Sequence, residues 1–396
     1  MKSHDVPGLR APTHVPPDRV IDFDIARDPG LKTDIFERLR AVRDASPRVA
    51  YSTANGGEWL VFGREELQRV VADPETFSTS YLAGGRKAFI PLSLDPPEHA
   101  PWRHLLLKHF GPAQVKRLEP FVRGWAERLI RPLETKSACD FFEAVAEPMP
   151  VSVFMVLMGL PLERFEEFRR LVMTVLTPRE PGDAAARRSE ASADIARALG
   201  ELIAVRRQAP KDDLVSRLLC EEIEGRPITQ AELMSISFLL FIAGLDTVTN
   251  AMAFGIRHLA RDLELQEDIR QDRALIPATV EKLLRLYTFV NTSRLVMKDT
   301  ELDGVRIRKG EMVSCVLWGG SNDPGGEAEG PRHMAFGGGH HICLGMYLAR
   351  LELRVMYETW FDRIGRFTLA PDPAPAMRGG PVMNITRLLL NLEPRA

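Results

Sequence analysis

Several features that would mark particular classes of protein are scarce in this sequence of 396 residues. The four cysteines lack the paired spacing of a disulfide framework or a zinc site, which favours a reducing compartment. The net charge of −2 gives no global argument for binding nucleic acid or an anionic membrane. No N-terminal stretch is long and apolar enough for a signal peptide or a membrane anchor, so we expect a soluble, cytoplasmic protein.

The composition that is present is ordinary for a globular protein. Apolar residues make up 45% and charged residues 27%, and the length permits a large core. The first twenty residues are rich in proline and polar side chains, which predicts a flexible N-terminal arm over residues 1–20. We treat residues 21–396 as a single domain.

The pattern of apolar residues predicts a mainly α protein with small β regions. The apolar runs 49–51 and 59–62 flank Asn55, Gly56 and Gly57, which indicates a β-hairpin. Residues 64–273 are mainly helical by periodicity. A second β-rich patch is predicted at 292–317 and a final strand at 385–392.

One long helix carries an unusual polar interruption. Thr229 and Glu232 have the spacing of a capping box, and the helix that they open is apolar all round through residue 242. A glycine and four polar residues then follow within 243–250, which costs stability in a buried helix and therefore indicates a functional site. The alternative is a helix that ends or bends there and becomes solvated.

The most informative segment surrounds one cysteine. It reads Phe336-Gly337-Gly338-Gly339-His340-His341-Ile342-Cys343-Leu344-Gly345 and precedes a helical stretch at 346–361. The start of a helix stabilises a thiolate through its free N–H groups and dipole, and a thiolate in a tight loop can be an axial ligand of haem iron. A phosphate-binding loop is the alternative, but Lys and Ser/Thr do not follow the glycines.

This segment, F-G-G-G-x-H-x-C-L-G, resembles the haem-binding loop of the cytochromes P-450, the haem-thiolate monooxygenases. The likeness extends from about residue 22 onward and is closest to the soluble, camphor-hydroxylating bacterial branch. It implies the cytochrome P-450 fold, with haem b between a long central helix and the cysteine loop. It also implies that Cys343 ligates the iron as a thiolate and that Phe336 and Gly337 contact the cofactor.

The interrupted helix resembles the oxygen-binding motif of the same family, A-G-x-D-T. By this match, Ala243 and Gly244 open a groove over the iron. Asp246 and Thr247 are the catalytic residues, because oxygen cleavage in a dry pocket needs protons that an acid and an alcohol can relay. Thr249 is a second hydroxyl nearby, and it could simply bond to its own helix.

Four basic side chains stand where the family holds the haem carboxylates. His99 and Arg103 match the motif D-P-P-x-H-x-x-x-R and lie four residues apart, on one helical face. Arg294 matches a strand arginine of the family, and His341 matches a donor in the cysteine loop. Each of them alone could be a solvated surface charge.

The substrate pocket is less well defined. Phe89, Leu239, Val290 and Val382 are candidate apolar walls, although each could equally be core packing. The camphor-hydroxylating branch has a tyrosine where this chain has Lys87, and a lysine tends to extend outward. We therefore expect a small apolar, terpenoid-like substrate without assigning camphor.

Two departures from the family affect one stabilising network. The helix motif E-x-x-R is replaced, since Lys282 stands three residues before Arg285 and Glu281 stands four before it. The stretch before Phe336 is short and carries only Arg332. The glutamate could have become dispensable, the network could be rebuilt with Glu281 and Arg285 or Arg332, or haem binding could be impaired. We favour the rebuilt network.

The resemblance implies a monooxygenase that uses molecular oxygen and takes electrons from an iron–sulfur ferredoxin. A basic face for this partner could include Arg103, Lys108, Arg332 and Arg350. The alternatives are a degenerate, non-catalytic member that binds haem or a ligand, and a peroxide-using relative. The intact pair Asp246 and Thr247 argues against both.

Overall fold

The computed structural model describes residues 10–83, 89–176, 184–324 and 333–393. The chain forms two compact units. The sheet unit comprises the described parts of Met1–Tyr81, Glu281–Cys343 and Pro375–Thr386. The helical unit comprises the described parts of Leu82–Val280, Leu344–Ala374 and Arg387–Ala396. The predicted single domain over 21–396 stays a prediction.

Helices dominate the described residues, and the predicted mainly α class with small β regions is confirmed. The α-helices are α1 Ile35–Ala45, α2 Arg64–Ala72, α3 His99–Phe110, α4 Pro112–Lys116, α5 Glu119–Ile130, α6 Pro148–Met158, α7 Phe165–Leu176, α8 Ala184–Gln208, α9 Leu214–Leu219, α10 Gln230–Leu259, α11 Leu263–Gln271, α12 Ile276–Leu286, α13 Leu317–Ser321 and α14 Met346–Arg363.

The strands are short. They are β1 Val20–Ile21, β2 Val49–Ser52, β3 Glu58–Val61, β4 Phe77–Ser78, β5 Ala138–Asp140, β6 Glu222–Ile223, β7 Arg226–Pro227, β8 Asn291–Val296, β9 Thr300–Leu302, β10 Val305–Ile307, β11 Met312–Val316, β12 Phe367–Leu369, β13 Ala376–Arg378, β14 Asn384–Arg387 and β15 Leu389–Leu392.

A six-stranded sheet organises the sheet unit, in the order β1-β2-β3-β11-β8-β4. Strands β2 and β3 pair antiparallel, so the predicted hairpin is confirmed. Strand β11 joins β3 in parallel and β8 antiparallel, which confirms the second β-rich patch. Trp59, Val313 and Cys315 are buried in one core cluster with Leu67 and Val71 of α2. The sheet therefore fixes the position of α2, against which the cysteine loop packs.

The segment before β1 is anchored rather than loose. Val15 is buried in the core cluster of the sheet unit, and His14 lies 2.9 Å from the Glu311 carboxylate. Arg19 forms an ion pair with Asp303 at 2.5 Å. These contacts differ from the flexible arm expected through residue 20, because the apolar and charged side chains find partners far away in sequence. Residues 1–9 lie outside the described part of the chain.

Helix α10 is the central element of the helical unit. It opens with the predicted capping box, in which Thr229 and Glu232 each accept a hydrogen bond from the other's backbone N–H. The helix continues through the polar segment 243–250 to Leu259, so it does not end there, which was one form of the alternative. By length and composition α10 is long and apolar enough to cross a membrane, and the core helices of globular proteins can meet the same criteria. Its Phe241 ring packs on Phe154 at 5.3 Å between centroids, which places α10 in a protein core.

The final strand predicted at 385–392 is wrong as a single element. Two strands occupy the region, and they belong to different sheets: β14 pairs with β13, whereas β15 pairs with β12 and β5. Between them, the carbonyl of the buried Leu388 accepts a hydrogen bond from the N–H of Phe141. Apolar residues recur from Ile385 to Leu392 without a turn residue between the two strands, so the sequence alone could not reveal the break.

Candidate functional site

Two of the three glycines of the cysteine loop, Gly338 and Gly339, place its backbone against α2. A Cβ atom on Gly339 would lie 1.9 Å from the carbonyl oxygen of Val71, and one on Gly338 would lie 2.9 Å from the Val71 side chain. Gly339 also has a φ of +63°, a conformation that favours glycine. The loop therefore requires glycine here both for its turn and for its close contact with α2.

Cys343 closes this loop. Its backbone N–H donates to the carbonyl of Phe336 at 2.8 Å, and α14 begins three residues later at Met346. Gly337, with a φ of +73°, faces open space on the side where a Cβ would be. Cys343 is exposed and is not joined to another of the four cysteines by a disulfide, so a ligand can reach its thiol. This arrangement fits the predicted role of a thiolate that binds a metal.

Arg294 on β8 provides a test of whether the residues present fit haem. Its side chain is buried, and Nη1 donates to the carbonyl of Ser293 at 2.9 Å. Its Nε finds no hydrogen-bond acceptor among the residues that the structure describes. A buried guanidinium with an open donor is costly unless an anion pairs with it. A haem propionate would supply that anion, so Arg294 and Cys343 together fit the cofactor.

His341 is held by a residue that the sequence did not indicate. Its Nε2 lies 3.0 Å from the hydroxyl of Thr79, which follows β4. Tyr81, two residues further on, bonds to the side chain of Ser293, and burial raises the pKa of its phenol. Thr79 and Tyr81 have no sequence signal, because each meets its partner across more than two hundred residues. They place polar groups beside His341 and Arg294.

The departure from E-x-x-R also has a structural outcome. Lys282 is exposed, whereas the Glu281 carboxylate lies 3.1 Å from Nε2 of His333, in the short stretch before the cysteine loop. His333 had not been identified from the sequence. Arg332, one of the two substitutes expected, lies outside the described residues. A contact between α12 and the stretch before the cysteine loop therefore exists, with a histidine as the partner.

Two of the four candidate wall residues meet in the sheet unit. Val290 and Val382 form an isolated antiparallel β-bridge, and both side chains are half-buried. The bridge is fixed on both sides, since Asn291 N–H donates to Pro381 and Met383 N–H donates to Phe289. Their partial exposure distinguishes them from the fully buried core and leaves them available to a ligand.

The other two wall residues, Phe89 and Leu239, belong to the helical unit, and both are half-buried. The N–H of Ile90 donates to the Ser235 hydroxyl on α10 at 2.9 Å, which ties the segment after Phe89 to this helix. Leu239 lies one helical turn after Ser235, on the same face. Lys87 lies outside the described residues.

Helix α3 carries the predicted pair His99 and Arg103 at its start. They are one turn apart, with His99 buried and Arg103 half-buried. Neither side chain is fully exposed, as two solvated surface charges would be.

The two small residues of α10, Ala243 and Gly244, have different surroundings. Ala243 is exposed, whereas a Cβ on Gly244 would lie 3.3 Å from the ring of Phe154. Gly244 is therefore packed against α6, and the groove expected from this pair stays a prediction.

The acid Asp246 and the alcohol Thr247 lie on α10 just after Ala243 and Gly244. The hydroxyl of Thr247 donates to the carbonyl of Ala243 at 3.0 Å, and the side-chain amide of Asn250 donates to the Asp246 carboxylate at 2.8 Å. Burial raises the pKa of Asp246 to about 6, while the bond from Asn250 opposes the shift. Asp246 can thus gain and lose a proton near neutral pH, as an acid–base residue must.

The structure thus gathers the predicted residues into two sets. The sheet unit holds one set: Val290, Arg294, Phe336, Gly337, His341, Cys343 and Val382. The helical unit holds the other: Phe89, His99, Arg103, Leu239, Ala243, Gly244, Asp246 and Thr247.

Comparison with known proteins gives a consistent result. The family model described as Cytochrome P450 matches residues 181–325. The "Probable cytochrome P450 127A1" of Sinorhizobium fredii is 34% identical over 96% of this chain and 96% of its own length. The crystal structure of cytochrome P450 CYP101C1 is 34% identical with a TM-score of 0.89, and that of CYP101J2 is 31% identical with a TM-score of 0.88. Each covers 97% of this chain and all of its own, and both are consistent with the bacterial branch that the sequence resembles.

Proposed function

This chain belongs to the cytochrome P450 family of haem-thiolate monooxygenases, and we propose that it hydroxylates a small apolar, terpenoid-like molecule with electrons from an iron–sulfur ferredoxin. The observation that carries the catalytic part of this proposal is the Asp246 carboxyl of α10, whose pKa burial raises to about 6. An acid that titrates near neutral pH, next to an alcohol in the A-G-x-D-T motif, favours catalysis over haem binding alone, because perturbed pKa values cluster at functional sites.

The haem, when bound, supplies the oxygen chemistry at its iron. Cys343 would hold that iron as a thiolate, and Phe336 and Gly337 would contact the ring. In the sheet unit, Arg294 and His341 would pair with the carboxylates of the cofactor. In the helical unit, His99 and Arg103 of α3 are the candidates for the same role. The buried Arg294 guanidinium, with its open Nε donor, is the strongest support among these anchors.

The residues of α10 move protons. Asp246 exchanges a proton with solvent, since it is half-buried and its pKa lies near 6. The Thr247 hydroxyl, which donates to the Ala243 carbonyl, can turn to donate elsewhere at the cost of one hydrogen bond. Ala243, which is exposed, leaves room beside both groups.

The substrate is held by apolar contact. The four candidate wall residues are all half-buried, so part of their apolar surface is not covered by core packing. They are Phe89, Leu239, Val290 and Val382. A small hydrocarbon-like compound suits walls made of one aromatic and three aliphatic side chains. This supports a terpenoid-like class and not a particular compound.

The ferredoxin is proposed to dock on basic side chains of the helical unit. The described candidates are Arg103 and Lys108 on α3 and Arg350 on α14. The ammonium of Lys108 pairs with Glu221 at 3.1 Å. Arg332 lies outside the described residues. We expect the protein to be soluble and cytoplasmic, and its affinity for a ferredoxin to fall as ionic strength rises. An affinity independent of salt would contradict docking on these charges.

Two measurements test the function. The reduced protein with carbon monoxide should show the red-shifted Soret band of a thiolate-ligated haem, and Cys343→Ser should lose it. NADH consumption with surrogate redox partners should then rise when members of a terpenoid panel are added, with one hydroxylated product per turnover. A normal thiolate band without turnover on any substrate would favour the non-catalytic alternative, and turnover with peroxide alone would favour a peroxide-using enzyme.

A further inference from the structure

We propose that His333 is a positioning residue for the cysteine loop, which it ties to helix α12 through Glu281. The proposal rests on the function proposed above and adds to it a way of holding Cys343 that this chain builds from its own residues. Glu281 and His333 both belong to the sheet unit. Their side chains are 34% and 4% exposed, so the imidazole lies inside the protein and the carboxylate reaches it from the surface.

Both nitrogens of the His333 ring have a partner. Nε2 lies 3.1 Å from Oε2 of Glu281, and the backbone N–H of Ala335 donates to Nδ1 at 3.2 Å. An N–H group can only donate, so Nδ1 must carry the lone pair and the proton of the neutral ring must lie on Nε2. Nε2–H therefore donates to the Glu281 carboxylate. The Ala335 backbone thus fixes the tautomer that can bond to α12.

A second connection joins the same stretch to the same helix. The N–H of Met334 donates to the Ser321 hydroxyl at 2.9 Å, and this hydroxyl lies 2.8 Å from that of Thr288. Thr288 in turn reaches the carbonyl of Leu284, in the last turn of α12, at 3.0 Å. Hydrogen bonds therefore connect both residues to α12. The side chain of His333 is connected through Glu281, and the backbone of Met334 through the hydroxyls of Ser321 and Thr288.

The stretch leads directly to the cysteine. Gly337 N–H donates to the Met334 carbonyl at 2.8 Å, and Cys343 N–H donates to the Phe336 carbonyl at 2.8 Å. The ring of Phe336 lies 5.8 Å from that of His333, centroid to centroid. A shift of His333 would therefore displace Ala335 and Phe336, and with them the carbonyl that holds the backbone of Cys343.

The position of Glu281 on α12 explains why a histidine of the stretch before the cysteine loop can be its partner. Glu281 precedes the exposed Lys282 by one residue, so its side chain leaves α12 in a different direction, rotated by about 100° around the helix axis. In that direction it meets His333. A glutamate at position 282 would point to the exposed face instead, and we expect Lys282→Glu to change neither haem retention nor the melting temperature appreciably.

Three substitutions separate the two bonds of the ring. His333→Asn keeps an acceptor near Nδ1 for Ala335 N–H, but it is too short to reach Glu281. His333→Gln keeps a donor near Nε2 for Glu281 and loses the acceptor for Ala335. Glu281→Gln keeps the volume and an acceptor but removes the charge. His109→Asn is a matched control, because His109 makes an equally long bond, 3.1 Å, to Glu221 in the helical unit.

The holoproteins are compared by haem transfer to apomyoglobin and by the ferrous–carbon monoxide spectrum. We expect His333→Asn to release haem about tenfold faster and to convert much of the thiolate band to the band of a lost thiolate, since a charge-assisted hydrogen bond is removed. Glu281→Gln should have a smaller effect in the same direction. His333→Gln should retain more of the thiolate band than His333→Asn, and His109→Asn should match the wild type.

Equal spectra and equal haem-transfer rates for His333→Asn, Glu281→Gln and wild type would overturn the positioning role and leave the proposed function intact. A lower melting temperature with an unchanged thiolate band would also overturn it, since that is what a purely structural contact predicts. If His333→Asn does not fold, Glu281→Gln and His333→Gln carry the comparison. A wild type without the thiolate band would instead refute the proposed function, and the positioning role with it.

Discussion

The side-chain amide of Asn250 donates to the carboxylate of Asp246 across 2.8 Å, and it donates equally to the backbone carbonyl of the same residue. Asn250 is itself buried, one turn further along α10. The acid is therefore held against its own helix by a neutral partner. A neutral amide favours the carboxylate only modestly, so burial dominates and the pKa of Asp246 is raised to about 6.

Replacement of Asp246 by asparagine should remove a pH-dependent step. We expect Asp246→Asn to lower substrate-dependent product formation by about 100-fold, the usual scale for the loss of an acid–base group. Wild-type turnover should change with a midpoint near pH 6, where Asp246 titrates, and the variant should lack this midpoint. A pH profile of product formation with saturating substrate tests both effects. An unaltered midpoint in the variant would assign the titration to another group.

Two threonines on α10 form a natural pair for testing the alcohol. Thr247 and Thr249 both donate to the carbonyl four residues earlier, at 3.0 Å and 2.8 Å, but Thr249 is buried and Thr247 is half-buried. We expect Thr247→Val to lower the product formed per NADH consumed by about tenfold. Thr249→Val loses the same kind of bond and should leave this ratio unchanged. Equal losses in both variants would indicate a general effect on the helix.

The cysteine loop contains a matched pair of glycines. Gly337 and Gly339 both have positive φ, +73° and +63°, but only Gly339 contacts the Val71 carbonyl where a Cβ would be. Gly337→Ala should cost about 1 kcal/mol of stability through backbone strain alone. Gly339→Ala should cost roughly 3 kcal/mol or more, because a methyl group must displace the end of α2. Melting temperature and haem content of the purified variants test the difference, and equal losses would contradict it.

Local sequence patterns predicted what depends on neighbours in the chain. The capping box of Thr229 and Glu232, the β2–β3 hairpin and the helix after Cys343 all formed as expected, because each is specified within a few residues. The same holds for the cysteine loop, in which Gly337 and Gly339 have the positive φ angles that glycine favours.

Contacts between distant residues could not be predicted in this way. The bond between Glu281 and His333 joins positions 52 apart, and that between Thr79 and His341 joins positions 262 apart. A histidine beside a shortened loop has no periodicity or motif to mark it. The sequence showed that the E-x-x-R network was altered, but only the fold shows which side chain meets Glu281.

Glu352 was also not marked by the sequence, and it is buried on α14. Its Oε2 finds no hydrogen-bond partner among the described residues, and burial raises the pKa of its carboxyl to about 8. The usual glutamate value is near 4.5, so between these limits the folded protein keeps the proton while the unfolded chain loses it. The unfolded state then binds fewer protons, and the free energy of unfolding must fall as the pH rises through this window.

Glu352→Gln should abolish that dependence, because the amide has no proton to lose. We expect the variant and the wild type to have similar stability near pH 5, and the variant to become more stable by on the order of 3 kcal/mol near pH 8. Urea unfolding at several pH values measures the difference, and Glu264→Gln, at an exposed carboxyl on α11, serves as the control with no such trend. A difference between variant and wild type that stays constant with pH would mean that Glu352 is already ionised in the folded protein. Burial would then have to be offset by a cation or a donor that holds the carboxylate in its charged form.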